Sequence, residues 1–525
     1  MLTTVGSPSS ISLSLLPSRL CRQTRGCRFW ALVVSGILWL FTPRVEDLPG
    51  PMAFASGSRA DRPNIVLVVA DDQGWGDVGY QGHPVLKTPH LDEAARSGLR
   101  FERFYAQAPV CSPTRATLLT GRHPNRMGVF TWGYPIRPQE ITLAKLLREA
   151  GYATGHFGKW HLGSVYRASP VHPGRMGFER WVSSPNFFDN NPIFSDEGTA
   201  VAFQGESSVV TVQVALEWIR KQAEAGRPFF AMICFGSPHA PHQAAEEDRA
   251  LYLDQPPALR EFYGEITGID RAFGMLRQAL AELGIRENTI LWYTSDNGAL
   301  PKVGSTGGFR GNKGQIYEGG LLVPTFLEWP AKIRTPRVTR VRCCSADIFP
   351  TILEIVGIEP PANLPLDGIS LVPVIEGKWE RRPVPLGFWH YPAPGISTPS
   401  AKWMAELLAA QQKGEDLPPD GPSQRAGQLP DPPYPSDQFP GHAAWIEGDW
   451  KLHRIETAKG KIRWELYNLE EDPAESTDRA AEEPERLGAM QKRLEAWLRS
   501  VVQSLNGADY AGLGESPSLP ESKSR

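Results

Sequence analysis

The sequence is poor in cysteine, with six in 525 residues. A disulfide scaffold compensates for the thin core of a small domain, so it is excluded as the organising principle here, and each cysteine has to be judged by itself. A charge excess is also missing. The 55 Lys+Arg against 58 Asp+Glu leave a formal net charge of -3, which gives no global field for nucleic acid or an acidic membrane. Any anion chemistry must come from a local cluster. The apolar run FWALVVSGILWLFT at 29–42 stops at Pro43, short of the roughly 20 residues that span a bilayer. No stable membrane span and no nucleic-acid partner are expected. With 41% hydrophobic and 22% charged residues, and no internal repeat, the chain is neither disordered nor collagen-like. Its length predicts one large domain plus a smaller one.

Ahead of that apolar run stand Arg19, Arg22, Arg25 and Arg28 with no acidic residue, and Ala53-Phe54-Ala55 follows as a small-x-small cleavage site. This charged-then-apolar order reads as a signal peptide and leader over 1–55, predicting export to a periplasm or the outside; an uncleaved N-terminal anchor is the alternative. Cys21 and Cys27 would leave with it.

From Pro63 onward, short apolar runs alternate with helical periodicity: NIVLVVA (64–70), a helix near 90–97, LRFERFYA (99–106), a helix at 140–150 and YATGHFG (152–158). PFFAMICF (228–235), TILWYTS (289–295) and LLVPTFLEW (321–329) continue the series, with helices near 207–225 and 258–283. The pattern predicts an α/β fold, a large mostly parallel sheet sandwiched by helices, over 62–385. Residues 386–441 read as a proline-rich surface excursion interrupted by a helix near 401–413. A small α+β domain is expected over 442–505, with two alternating strands and a last helix near 482–503, before a disordered tail at 506–525.

Asp71 and Asp72 close the first apolar strand, and Asp296 and Asn297 close TILWYTS. In a parallel α/β sheet, strand carboxyl ends are where ligands bind. Three carboxylates and an amide oxygen make a hard, all-oxygen set suited to calcium or magnesium. A lone DD or DN pair is more often a turn or helix cap, and two pairs after two strands shift the balance toward a metal.

The densest signal is PVCSPTRATLLTGRHPNR at 109–126. Ser112 and Pro113 suit an N-cap and first turn, and Gly121 a C-terminal stop. That arrangement puts Cys111 just before a helix N-terminus, where free amides, Arg115 and Arg122 favour an anion. On these grounds Cys111 is either a low-pKa nucleophile or a small buried thiol.

Cys111-Ser112-Pro113-Thr114-Arg115 followed by Leu119-Thr120-Gly121-Arg122 resembles the signature of the type I sulfatases, formylglycine-dependent members of the alkaline phosphatase superfamily. PNIVLVVADDQGWGD, GKWHLG (158–163), SPHAPH (237–242), TSDNGA (294–299), GGFRGNKGQIYEGG (307–320), GDWKL and ELYNLEEDP are similar to family blocks in family order, so the resemblance covers roughly 62–505. Thr114 departs from the usual serine. MGFERWVSSPNFFDNN (176–191) is similar to the N-acetylgalactosamine-6-sulfatase branch.

The resemblance implies hydrolysis of a sulfate ester, on a sulfated sugar, through the hydrate of a formylglycine (3-oxoalanine) made from Cys111 by a formylglycine-generating enzyme. It implies one Ca2+ per chain on Asp71, Asp72, Cys111, Asp296 and Asn297. Lys159 and Lys313 would clamp sulfate oxygens, Arg115 would orient the hydrate, His239 would protonate the leaving alcohol and His161 would take a proton from the second hydroxyl. Lys159 and His161, two apart, point the same way if their segment is extended. Taken singly, each Lys could be a surface charge and each His a turn residue. His242, His172, His390, Asp189, Asn190 and Asn191 could line a pocket or simply serve loop turns, and Cys234, Cys343 and Cys344 read as structural. A phosphodiester or phosphonate monoester hydrolase of the same superfamily is the enzymatic alternative; a binding protein for sulfated polysaccharide with unmodified Cys111 is the other.

Overall fold

The computed structural model describes residues 62–510; the expected signal and leader at 1–55 and the tail beyond 510 lie outside the described residues. A ten-stranded sheet organises the main layer. Its centre is parallel, running in space Thr289–Ser295, Asn64–Ala70, Phe229–Cys234, Ala153–Lys159, Arg180–Ser184. Thr325–Glu328 on one side, and Ile193–Asp196 with Thr199–Ala202 on the other, join antiparallel, so the sheet is mixed toward its edges.

The run NIVLVVA lacks polar alternation because both of its faces are covered. Ile65, Leu67 and Val69 enter one core with the helices Cys111–Thr120, Leu143–Glu149 and Ile348–Val356. Val66, Val68 and Ala70 enter another with Pro89–Ser97, Ser207–Glu224 and Pro257–Glu282. Helices on both faces of a parallel centre give the sandwich that the alternating pattern predicted.

Some expected elements differ. LRFERFYA splits into Leu99–Phe101 and Phe104–Tyr105. LLVPTFLEW is a strand only over Thr325–Glu328, since Pro324 has no N–H to donate. AAWIEGDWKLHRI is a hairpin turning at Gly448 (φ 59°), so it forms His442–Glu447 and Trp450–Glu456, with Ile462–Asn468 as a third strand. A fourth, Leu386–His390, pairs with His442–Glu447, so the stretch 386–441 opens with a strand of this small antiparallel sheet. The rest of that stretch is not merely superficial: its helix Ser400–Gln411 buries Met404 and Leu407 in the main core. Within 506–510, expected as tail, Asp509 pairs with Arg122 and Tyr510 with Glu140.

Candidate active site

Neighbouring strands deliver the site. Ala70 and Ser295 are in register, so Asp71-Asp72 and Asp296-Asn297 leave the sheet side by side. The next strand outward, Phe229–Cys234, leads to His239, and the one beyond ends at Lys159. Asp71, Asp72, Asp296 and Asn297 are fully buried. Asp71, Asp72, Cys111 and Asp296 each place a donor atom within 4.8 Å of the others. Asp72 sits at φ 71°, a left-handed conformation that is costly for a residue with a Cβ and is held by its surroundings.

Cys111 arrives from above on its own helix. The helix begins at Cys111 itself, with Val110 in the capping position and no side-chain cap; Ser112 is not the N-cap. Its Oγ instead accepts from Gly133 N at 2.8 Å, while Thr114 Oγ1 bonds both N and O of Ala108, fixing the approach to Cys111. Gly121 does stop the helix, in the left-handed region at φ 68°. The Sγ lies 3.9 Å from Asp72 Oδ1. Burial pushes the thiol up to about 12 against the pull of Lys159 and Lys313, so the low-pKa thiolate expected from a helix N-terminus is not what forms here. Desolvation outweighs the dipole.

Three cations face the three carboxylates. Arg115 donates to Asp296 Oδ2 and, through Nη1, to Lys159 O at 3.2 Å. Lys159 Nζ lies 2.5 Å from Asp71 Oδ2, and Lys313 Nζ 2.6 Å from Asp72 Oδ2. Lys313 comes from a loop anchored by its own N to Ala299 O and by Gly314 N to Pro109 O, both at 2.9 Å. Burial raises the Asp71 carboxyl to about 7, with Asp296 and Asp72 adding to the rise and Lys159 opposing it. For Asp72 burial acts upward too, but Lys313, His239 and Lys159 outweigh it and hold the group low. Asp71 Oδ1 and Asn297 Oδ1 are buried with no hydrogen-bond partner. Buried acceptors without donors, among crowded carboxylates, fit a hard divalent cation.

The histidines sit beside this cluster. His239 Nε2 is 3.7 Å from Asp72 Oδ2, Nδ1 is 2.6 Å from Ala240 O, and Phe187 stacks on the ring at 4.3 Å. Burial pushes His239 down to about 3. His161 does not continue an extended segment from Lys159: its φ is 53°, and Trp160 N and His161 N bond to Ser184 O and Pro185 O. Both of its ring nitrogens are buried without partners, and burial, with Lys159 and Arg115 nearby, holds it well below the ordinary imidazole range.

Other candidates are occupied elsewhere. Asn190 Oδ1 and Asn191 Oδ1 accept from Ser207 N and Gly205 N, the turn role that is one of the two readings open for them. His172 stacks on Trp181, His242 lies 3.4 Å from Glu265, and His390 sits in the small sheet opposite His442. Asp189 is half-buried. Arg122 does not face the site; it bonds Glu140. Cys234, Cys343 and Cys344 are buried free thiols. Phe187 lies inside MGFERWVSSPNFFDNN, yet nothing in its local pattern separates a ring that meets a distant histidine from an ordinary core ring.

Residues 63–358 match the family model described as Sulfatase. The chain is 36% identical over 365 residues to N-acetylgalactosamine-6-sulfatase of Canis lupus familiaris, covering 61% of this chain and 68% of that one. The crystal structure of Ps i-CgsB in complex with k-i-k-neocarrahexaose superposes with a TM-score of 0.70 at 24% identity, over 86% of this chain and 97% of that chain. The phosphonate monoester hydrolase of Agrobacterium radiobacter does so with a TM-score of 0.55 at 22% identity, over 85% and 97%. These two likenesses speak for the fold.

Proposed function

Because the chain belongs to the sulfatase family and is a sulfuric ester hydrolase, we propose that it removes sulfate from a sulfated carbohydrate through a formylglycine made from Cys111. The observation that carries this reading is the meeting of Asp71, Asp72 and Asp296 with Arg115, Lys159 and Lys313 around Cys111. A sulfate ester needs both signs: carboxylates to hold a cation, and cations to take the charge on the sulfate oxygens. The sugar is suggested by the N-acetylgalactosamine-6-sulfatase relative.

Asp71, Asp72, Asp296, Asn297 and the modified Cys111 would hold one Ca2+, which when bound supplies Lewis-acid polarisation of the sulfate. The residues of the chain do the rest. Arg115 fixes Asp296 and orients the hydrate. Lys159 and Lys313 would exchange their carboxylate partners for sulfate oxygens. His239, neutral while the site is free, is drawn upward by an arriving anion and protonates the departing alcohol. One hydroxyl of the hydrate would attack sulfur as the bond to the alcohol breaks. His161, neutral with both ring nitrogens unengaged, would then take the proton of the other hydroxyl so that the carbon–oxygen bond to sulfate breaks, sulfate leaves and the aldehyde returns, to be rehydrated by water. Catalysis is assigned to the 62–385 layer. Maturation requires a formylglycine-generating enzyme, and the leader reading makes the product an exported protein.

The mass of the Cys111 peptide from active protein, together with sulfate release from N-acetylgalactosamine 6-sulfate, tests the proposal; an unmodified thiol in fully active protein would refute it. The fold likeness to a phosphonate monoester hydrolase supports a second reading. A large preference for aryl phosphodiester over aryl sulfate would favour it.

A further inference from the structure

We infer that the chain carries a second saccharide site, a cationic and aromatic recess that holds a sulfated stretch of a polymeric substrate away from the reacting ester; this rests on the sulfated-carbohydrate reading above. The recess measures about 360 Å3, the size of a small-ligand site. Phe130, Tyr134 and Tyr434 line it with Arg137, Arg425 and Ile396, and no carboxylate stands among its lining residues.

Arg137 is the informative member. It is 4% exposed, donates Nη2 to Leu505 O at 2.8 Å, and leaves Nη1 buried without a partner. An unpaired guanidinium N–H inside a protein is costly, and this cation, which also lies over the Tyr510 ring at 5.5 Å, places positive charge at the wall of the recess. Arg425 stands exposed at the same recess. The rings supply flat amphipathic surface of the kind that packs on a sugar face while polar edges stay wet. Phe130 is locked in place by Tyr391, Tyr134 and Tyr434, with centroids at 4.5, 5.7 and 5.8 Å.

The recess is tied to the candidate active site through one loop. Gly133, between the lining residues Phe130 and Tyr134, donates to Ser112 Oγ beside Cys111. Ile396 N donates to Trp132 O, and no Cβ fits on Gly395, whose would-be position is 1.9 Å from the Trp132 indole. Trp132 itself is 41% exposed. The proline-rich strap then reaches Asn186 and Ser184, the segment that also bonds Trp160 and His161. One strap thus forms a wall of the recess and touches segments that flank the site.

The test is calorimetric binding of a chondroitin 6-sulfate hexasaccharide to the full chain carrying Cys111→Ala, with the desulfated hexasaccharide as control. Arg425→Glu and Tyr434→Ala should each weaken binding of the sulfated form about tenfold, while hydrolysis of 4-nitrophenyl sulfate by the same substitutions in active protein stays unchanged. The Arg425 effect should shrink as salt rises. Unchanged affinity in both variants overturns the inference, as does a loss in Arg425→Glu that is equal toward the desulfated control, whereas Tyr434→Ala should weaken both sugars. Binding that emerges only after removal of residues 511–525 overturns it as well, since the recess would then seat the chain's own end. If wild-type protein cleaves 4-nitrophenyl sulfate but no sulfated sugar, while the two variants still lose hexasaccharide binding, the carbohydrate reading of the active site fails and the recess stands.

Discussion

Arg115 donates through both Nε, at 2.9 Å, and Nη2, at 2.7 Å, to a single oxygen, Oδ2, of Asp296. Asp296 Oδ1 accepts from Asp72 N at 3.1 Å, so a residue one helical turn beyond Cys111 sets the carboxylate that joins the two strand ends. Lysine keeps the charge but not the fork. Arg115→Lys should lower kcat by about 100-fold and loosen calcium retention, read by sulfate release and by metal content after dialysis.

Cys111→Ala should reduce sulfate release by about 10,000-fold or more with little change in melting temperature. The side chain is buried but small, and alanine suits the first turn of a helix. Retained turnover would overturn the formylglycine account.

Exhaustive chelation should abolish activity and added Ca2+ restore it, since Asp71 and Asn297 each leave a buried oxygen without a hydrogen bond. Activity that persists after chelation, in protein shown metal-free by mass spectrometry, would remove the metal from the mechanism.

Lys451, from the small sheet, is fully buried between Glu318 at 2.8 Å and Glu475 at 3.1 Å. Glu318 closes the loop that carries Lys313, and its N donates to Glu475. Lys451→Met removes the cation that two buried carboxylates share and leaves them uncompensated, so a loss of about 3–5 kcal/mol is expected in urea unfolding, with reduced kcat. An unchanged midpoint would mean that the network contributes nothing to stability.

Acid should destabilise the protein through buried histidines. Burial pushes His123 and His156 down to about 3. Their unfolded values are near 6.5, so the unfolded chain binds the extra protons: this stability is complete above about pH 6.5 and falls as pH drops toward 3, by about 1.4 kcal/mol per pH unit per histidine. His156→Gln should flatten the slope of urea midpoint against pH in that window; an identical slope would refute the assignment.

Much of the fold was legible because burial on two faces writes itself as unbroken apolar runs, as in NIVLVVA and TILWYTS, and the acidic pairs after them announce strand ends. The hairpin at Gly448 was hidden inside a run that reads as one strand. Pro324 shortened another. Ser112 looked like a helix cap by residue type, but its hydroxyl is spent on Gly133, a choice made by a loop twenty-one residues away.

The sequence by itself determined which chemical groups are present and which strands carry them: three carboxylates, an amide, a cysteine, two histidines and three cations in blocks of fixed order. Tertiary structure decided their state. Parallel register set Ala70 beside Ser295 and so made two acidic pairs into one cluster. Burial raised the Cys111 thiol instead of lowering it, and left His161 unpaired and neutral in a left-handed turn. Those outcomes depend on desolvation by segments distant in the chain, which no local pattern encodes.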